Sequence, residues 1–217
     1  LSYFNVHTHR KPLNNNEICI RNAYLKPVKK ITANYFLSTG LHPWFVRDFS
    51  EVALISVLNE NILDTRVIAI GEIGLDSTKP NFSKQKELFK VQLDFAEKNN
   101  LPIIVHLVKS AQDFIPIIKP FKCELILHGF KDGIEMWKQL NPNGKTNVSI
   151  GKHVFTKSKK LTGLIEQIPK ENLFIETDQS KYSIMSIYEE ISKIRGISVE
   201  ELEYQICQNF RRVFKKY

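Results

Sequence analysis

Eight short apolar runs rich in β-branched residues recur along the chain, and stretches of helical period separate most of the later ones. The runs are Tyr3–Val6, Ile18–Tyr24, Tyr35–Leu41, Arg66–Ile73, Pro102–His106, Glu124–His128, Thr146–Ile150 and Leu173–Glu176. Strands that alternate with helices of this length form βαβ units, and such units require a parallel sheet. Eight of them predict a (β/α) barrel, with 217 residues near the short end of that fold's range, about 200 to over 400. The clearest helix is Ser83–Asn99, where Leu88, Phe89, Gln92, Leu93 and Ala96 fall at spacings of three and four. Ser83 is its expected N-cap, and Pro102 opens the next strand. Residues 183–214 read as two helices, the second entered through Ile197, Ser198 as N-cap, and an acidic first turn at Glu200 and Glu201. No linker and no internal repeat interrupts the chain, so one domain over residues 1–217 is expected. The first third is the irregular part. Only 32 residues lie between His9 and His42, and Pro12, Asn14–Asn16 and Pro27 break them up, so no full helix fits there.

The ends of the predicted strands share one chemistry. His7 and His9 are two apart at the end of the first run and point to one face. His42 follows the third run, Glu72 lies in the fourth, His106 ends the fifth, His128 ends the sixth, and Asp178 follows the eighth. In a barrel the carboxyl ends of the strands converge on one mouth, where active sites are built. A single histidine at a strand end is most simply a loop or core residue bonded to a carbonyl. Six placements of one kind, His42 aside, are harder to account for that way. Four imidazoles and two carboxylates can complete the inner shells of two divalent cations, with Glu72 as a bridge. Zn or Mn suits the imidazoles, and Mg suits phosphodiester chemistry. Paired ions roughly 3.5–4 Å apart make hydroxide available near neutral pH and clamp phosphate esters, amides or lactones. Asp178 can hold one ion while taking the proton of the attacking water. His42, outside that shell, can hydrogen-bond a phosphoryl oxygen.

At this level of detail the chain resembles the TatD-type metal-dependent deoxyribonucleases. Asn-Val-His7-Thr-His9 resembles the family's Asp-x-His-x-His opening, and Gly40-Leu-His42-Pro-Trp44 its Gly-x-His-Pro-His. Ala69-Ile-Gly-Glu72-Ile-Gly-Leu-Asp76 matches its most characteristic string. Gln85, Phe89, Gln92, Leu93, Ala96, the run Asn100 to His106, His128-Gly-Phe130, the run Ile168 to Asp178 and the closing Asn209 to Phe214 follow in the family's order. The resemblance implies a distorted TIM barrel, with His7, His9, Glu72, His106, His128 and Asp178 as metal positions. It also implies hydrolysis of DNA phosphodiesters, often exonucleolytic. Glu72 stands where related amidohydrolases often use a carbamylated Lys. Four departures border the substrate region. Asn5 replaces the opening Asp, removing a charge, and Trp44 replaces the second His of its motif, offering a face for base stacking. Lys109 replaces an Arg, keeping charge without a bidentate grip on phosphate. Ser180 replaces a Pro.

The remaining expectations follow from composition. Lys and Arg outnumber Asp and Glu by 31 to 23, a net charge of +8, which favours a polyanionic partner such as DNA over a purely small-molecule one. No apolar run approaches the ~20 residues of a membrane helix, no secretory signal pattern opens the sequence, and no obligate protein partner is expected. Cys19, Cys123 and Cys207 form no close pair and read as free thiols of a cytoplasmic protein. Three functions stay open: a two-metal deoxyribonuclease, an amidohydrolase or small phosphoester hydrolase, and a nucleic-acid-binding protein without turnover. Asp76 divides evenly between a third carboxylate of the site and a loop cap. His153, with Lys152, Lys157, Lys159 and Lys160, is more simply a solvated segment than a nucleic-acid groove. Trp137 and Phe130 read as packing residues, and Cys123 as inert.

Overall fold

The computed structural model describes residues 2–26 and 35–217. Pro27 lies outside the described residues. Eight parallel strands stand in chain order around one sheet: β1 (Tyr3–Thr8), β2 (Glu17–Asn22), β3 (Phe36–Thr39), β4 (Val67–Asp76), β5 (Ile103–Val108), β6 (Leu125–Leu127), β7 (Thr146–Ile150) and β8 (Leu173–Ile175). The sheet closes on itself at the carboxyl end. Thr8 bridges Asp178, whose amide donates to the His7 carbonyl at 3.0 Å. All eight expected strands are present, with ends shifted by a few residues.

Helices α1 (Glu51–Asn61), α2 (Phe82–Lys98), α3 (Ala111–Ile118), α4 (Ile134–Gln139) and α5 (Lys159–Gln167) follow β3 to β7 in turn. Helices α6 (Ile184–Arg195) and α7 (Val199–Val213) follow β8 and complete the wall. Residues 9–16, between β1 and β2, carry no helix, which is the shortened first unit that the prolines and asparagines predicted. The register also shifts between Asn5 and Thr8 on β1 and between Ile70 and Ile73 on β4. Such irregularities re-aim side chains near functional sites, and these two flank His7 and Glu72.

Both faces of the sheet are covered, so its strands read as apolar runs without alternation. Every residue of β4 is buried. Helix α2 buries the predicted face, Leu88, Phe89, Gln92, Leu93 and Ala96, and each fully buried Leu or Phe on it contributes about 1.5–3 kcal/mol. Its start differs from expectation. The N-cap is Asn81 in a left-handed conformation, φ 61°, and Ser83 lies inside the first turn. Asn tolerates that conformation better than most residues, and Pro80 before it keeps the helix from beginning earlier. Helix α7 begins as predicted, with the Ser198 hydroxyl accepting from the Glu201 amide at 3.0 Å. Trp137 and Phe130 are core residues. Burial raises the Cys123 thiol to about 12, leaving it inert. Among the described residues no helix is long and apolar enough to cross a membrane.

Candidate metal centre

The barrel mouth collects His7 from β1, His9 just beyond it, Glu72 from β4, His106 from β5, His128 just after β6 and Asp178 just after β8. Glu72 is the hub. Its Oε2 lies 3.4 Å from His7 Nε2 and 3.6 Å from His9 Nε2. Its Oε1 lies 2.9 Å from His106 Nδ1, 2.9 Å from His128 Nε2 and 3.1 Å from His42 Nε2. Asp178 closes the first group, with Oδ1 at 3.3 Å from His9 Nε2 and 3.8 Å from His7 Nε2. Each oxygen of one carboxylate therefore serves a different cluster of imidazoles. The triads His7–His9–Asp178, His7–Glu72–His128 and His42–Glu72–His106 each bring their donor atoms within 4.8 Å of one another.

The donors fit divalent cations. His106 Nδ1 and His128 Nε2 are 3.3 Å apart, close to the roughly 3.3 Å between ligands held tetrahedrally at about 2.0–2.1 Å. Both ring nitrogens of His7 are buried and lack a hydrogen-bond partner among the described residues. Leaving such atoms unpaired costs about 1–3 kcal/mol each, and a cation on the one lone pair of the neutral ring removes that cost at the nitrogen that carries it. Burial works against the charge on Glu72, but the His128 charge and hydrogen bonds from His106, His128 and His42 outweigh it and hold its carboxyl well below the usual range. Burial likewise lowers His9, yet Asp178 and Glu72 override it and bring the imidazole up to about 9. Asp178, raised by burial, is pulled down further by His9 and the neighbouring imidazoles. The carboxylates thus stay ionised.

His42 sits inside this cluster rather than beside it. Its Nε2 faces Glu72 and its Nδ1 accepts from the Trp44 amide at 3.2 Å, so both ring nitrogens are engaged. Trp44 lies on the rim, 51% exposed. Its indole N–H donates to Asp76 Oδ2 at 2.8 Å, and the Lys79 ammonium lies 4.4 Å from the ring centroid. Asp76 accepts from the Thr78 amide at 2.9 Å and from the Thr78 hydroxyl. It acts mainly as a loop cap, with His106 Nε2 3.6 Å away. Lys109 is exposed on the loop after β5. Lys152 reaches to 3.9 Å from Asp178 Oδ2, while Lys157, Lys159 and Lys160 are exposed and His153 is half-buried.

Several contributors had no expected role. Asn22 donates to Glu72 Oε2 at 3.2 Å, and the Tyr24 hydroxyl lies 3.0 Å from His9 Nδ1. Glu176 Oε1 lies 3.5 Å from His128 Nδ1. Gln92 grips Leu41 through both its amide and its carbonyl, fixing the approach to His42. Gln85 does the same for Asp76. Two glutamines on the apolar face of α2 were the signal for these clamps.

The family description "TatD related DNase" matches residues 16–215. An uncharacterized metal-dependent hydrolase of Methanocaldococcus jannaschii is 30% identical over 197 residues, 84% of this chain and 77% of that protein. A 3'-5' ssDNA/RNA exonuclease TatD of Erwinia amylovora is 29% identical over 212 residues, 84% of this chain and 79% of that protein. Among solved structures, YjjV, a TatD homolog from Escherichia coli, superposes with a TM-score of 0.81 at 19% identity, covering 98% of each chain.

Proposed function

Because the chain belongs to the TatD related DNase family and is a metal-dependent hydrolase, we propose that it cleaves DNA phosphodiesters with two divalent ions and an activated water, working from strand ends or on single strands. The observation that carries this reading is the two-sided use of Glu72, with His7 and His9 on Oε2 and His106 and His128 on Oε1. His7, His9 and Asp178 would hold one ion with Glu72, and His106 and His128 the other. Bound there, Zn, Mn or Mg ions supply Lewis acidity, easing loss of a proton from water near neutral pH and offsetting the charge of the phosphodiester.

The protein's own groups do the rest. Asp178, half-buried and ionised, accepts the proton of the attacking water. His42 and Asn22 hold Glu72 from opposite oxygens and so fix the orientation of the hub. His42 also lies close enough to the mouth to steady a phosphoryl oxygen when substrate displaces its bond to Glu72. Trp44 offers an indole face to a base, and Lys109 offers charge to the backbone. The net charge of +8 draws a polyanion to this surface.

The test is digestion of end-labelled single-stranded DNA by metal-stripped protein, with Mg, Mn or Zn restored singly and Glu72→Gln alongside. A metal-dependent ladder that the variant lacks supports the reading. Equal activity in the variant removes Glu72 from the mechanism. No digestion despite metal uptake moves the substrate to small esters or amides.

A further inference from the structure

Strand β2 supplies none of the six expected metal ligands, yet its end reaches the centre twice. Asn22, its last residue, donates to Glu72 Oε2 at 3.2 Å, and the Tyr24 hydroxyl, two residues on, lies 3.0 Å from His9 Nδ1. The two contacts form one unit, because Asn22 Oδ1 also accepts from the Tyr24 amide at 2.9 Å. Both serve the same side of the hub. His9 Nε2 faces Glu72 Oε2 and Asp178 Oδ1, whereas His106 and His128 face Glu72 Oε1.

Tyr24 is pinned in place. Its carbonyl accepts from the Thr39 hydroxyl at 2.7 Å and from the Gly40 amide at 3.3 Å, and the Thr39 hydroxyl accepts in turn from Asn61 of α1. Its backbone is left-handed, φ 55°, where a bulky side chain is rare and Gly or Asn fits more easily. A strained residue that its surroundings hold so firmly points to a task for its side chain. Packing accounts for the ring, whose centroid lies 5.5 Å from that of His9 and 6.2 Å from that of Phe45. It does not account for the hydroxyl. A neutral imidazole has one N–H and one lone pair. A ring that gives Nε2 to a cation therefore carries its proton on Nδ1, where the Tyr24 oxygen stands to accept it. His7, the other imidazole of this triad, has no such partner among the described residues.

We propose that Tyr24 is a positioning residue for His9. Its oxygen keeps the His9 proton on Nδ1 and the Nε2 lone pair turned toward Glu72 and Asp178, and so sets how tightly the ion on that side is held. The ion on the side of His106 and His128 does not depend on it. The proposal rests on the two-ion reading given above and adds that the two ions are held by separate supports.

Tyr24→Phe removes one oxygen and keeps the ring. Wild type and the variant are loaded with zinc, and its release is followed by competition with a chromogenic chelator. One of the two zinc ions is expected to be held about tenfold or more less tightly in the variant, while the other ion and the melting temperature of the metal-free protein are unchanged. Nuclear magnetic resonance of the zinc-loaded, 15N-histidine-labelled protein gives a second readout that packing would not move. The Nδ1–H proton of His9 loses its protection from exchange in Tyr24→Phe, and the His106 and His128 signals stay where they are. Wild-type affinity for both ions in the variant overturns the proposal, as does an equal loss at both or an unaltered His9 signal. Digestion of end-labelled DNA by zinc-loaded wild type is run in parallel. The selective loss of one ion without any wild-type digestion supports the role of Tyr24 and overturns the nuclease reading, and digestion with unaltered zinc binding in the variant does the reverse. Wild type that takes up fewer than two ions overturns both.

Discussion

The carboxylate of Glu176 lies 3.5 Å from Nδ1 of His128, and both of its oxygens are buried without a hydrogen-bond partner among the described residues. Burial works against the charge on His128, but Glu72 and Glu176 together overcome that effect and push its imidazole well above its ordinary value. A carboxylate behind a ligating imidazole fixes which nitrogen carries the proton and where the other lone pair points. Here the free side of His128 faces Glu72 at 2.9 Å. Gly151 leaves space for this carboxylate, since a Cβ there would lie 3.2 Å from Glu176 Cγ.

Glu176→Gln keeps the shape and removes the charge. Metal affinity is expected to fall about 10–100-fold, read by competition with a chromogenic chelator, while the melting temperature of the metal-free protein stays close to wild type. An unchanged affinity would show that Glu176 does not act through His128.

Asn5 replaces a family Asp, and the sequence alone reads that as a lost charge. The structure returns the charge from another position. Asn5 Nδ2 donates to buried Glu17 Oε1 at 2.7 Å, and Glu17 Oε2 accepts from Arg10 and from the Leu13 amide, each at 2.9 Å. Restoring the family residue as Asn5→Asp sets two carboxylates against each other. One must then hold a proton in the folded chain, with its pKa raised above the unfolded value of about 4. A raised folded pKa leaves stability intact below the unfolded pKa and removes it as pH climbs. The variant should be less stable by about 2–4 kcal/mol at neutral pH, and the gap should close as pH falls toward about 4. Melting curves at neutral and acid pH check this. A gap that does not change with pH rules out carboxylate repulsion as its cause.

How much of this was legible in the sequence depends on range. The eight strands and the buried face of α2 were, because period and apolar runs are local signals. So was the placement of histidines and acids at strand ends, since a barrel gathers strand ends whatever their spacing in the chain. Contacts such as Asn22 to Glu72, 50 residues apart, and Glu176 to His128 were not, because nothing in either segment names its partner. The engaged state of His42 was hidden for the same reason. Ser83 misled as a cap because Pro80 and left-handed Asn81 start the helix at Phe82.

Gly74 sits on β4 two residues beyond Glu72 with φ +147°, and a Cβ there would lie 2.0 Å from the His106 carbonyl oxygen. That neighbour is backbone, so β4 and β5 must separate if a side chain is added. Gly74→Ala should cost more than about 3 kcal/mol and move Glu72 away from His106. Chemical denaturation and metal uptake read the two effects. A variant with wild-type stability and uptake would show that the strands part without consequence.

Trp44 is anchored at the mouth while half of it stays open to solvent. Its indole N–H is anchored on Asp76, Lys79 covers one part of its ring, and half of the side chain is still exposed at the mouth. An aromatic fixed in this way is suited to receive a base, and stacking on such a platform contributes about 1–3 kcal/mol per base. If that is its role, Trp44→Ala raises KM for a single-stranded oligonucleotide by roughly tenfold or more and changes kcat little, since the contact is made equally in ground and transition states. Trp44→Phe keeps a ring without its Asp76 anchor and falls between the two. The control is an oligonucleotide with an abasic residue at the site of cleavage, whose KM should be the same for wild type and Trp44→Ala. An equal rise for intact and abasic strands would mean that Trp44 contacts the backbone or only shapes the loop above His42, and stacking would be excluded.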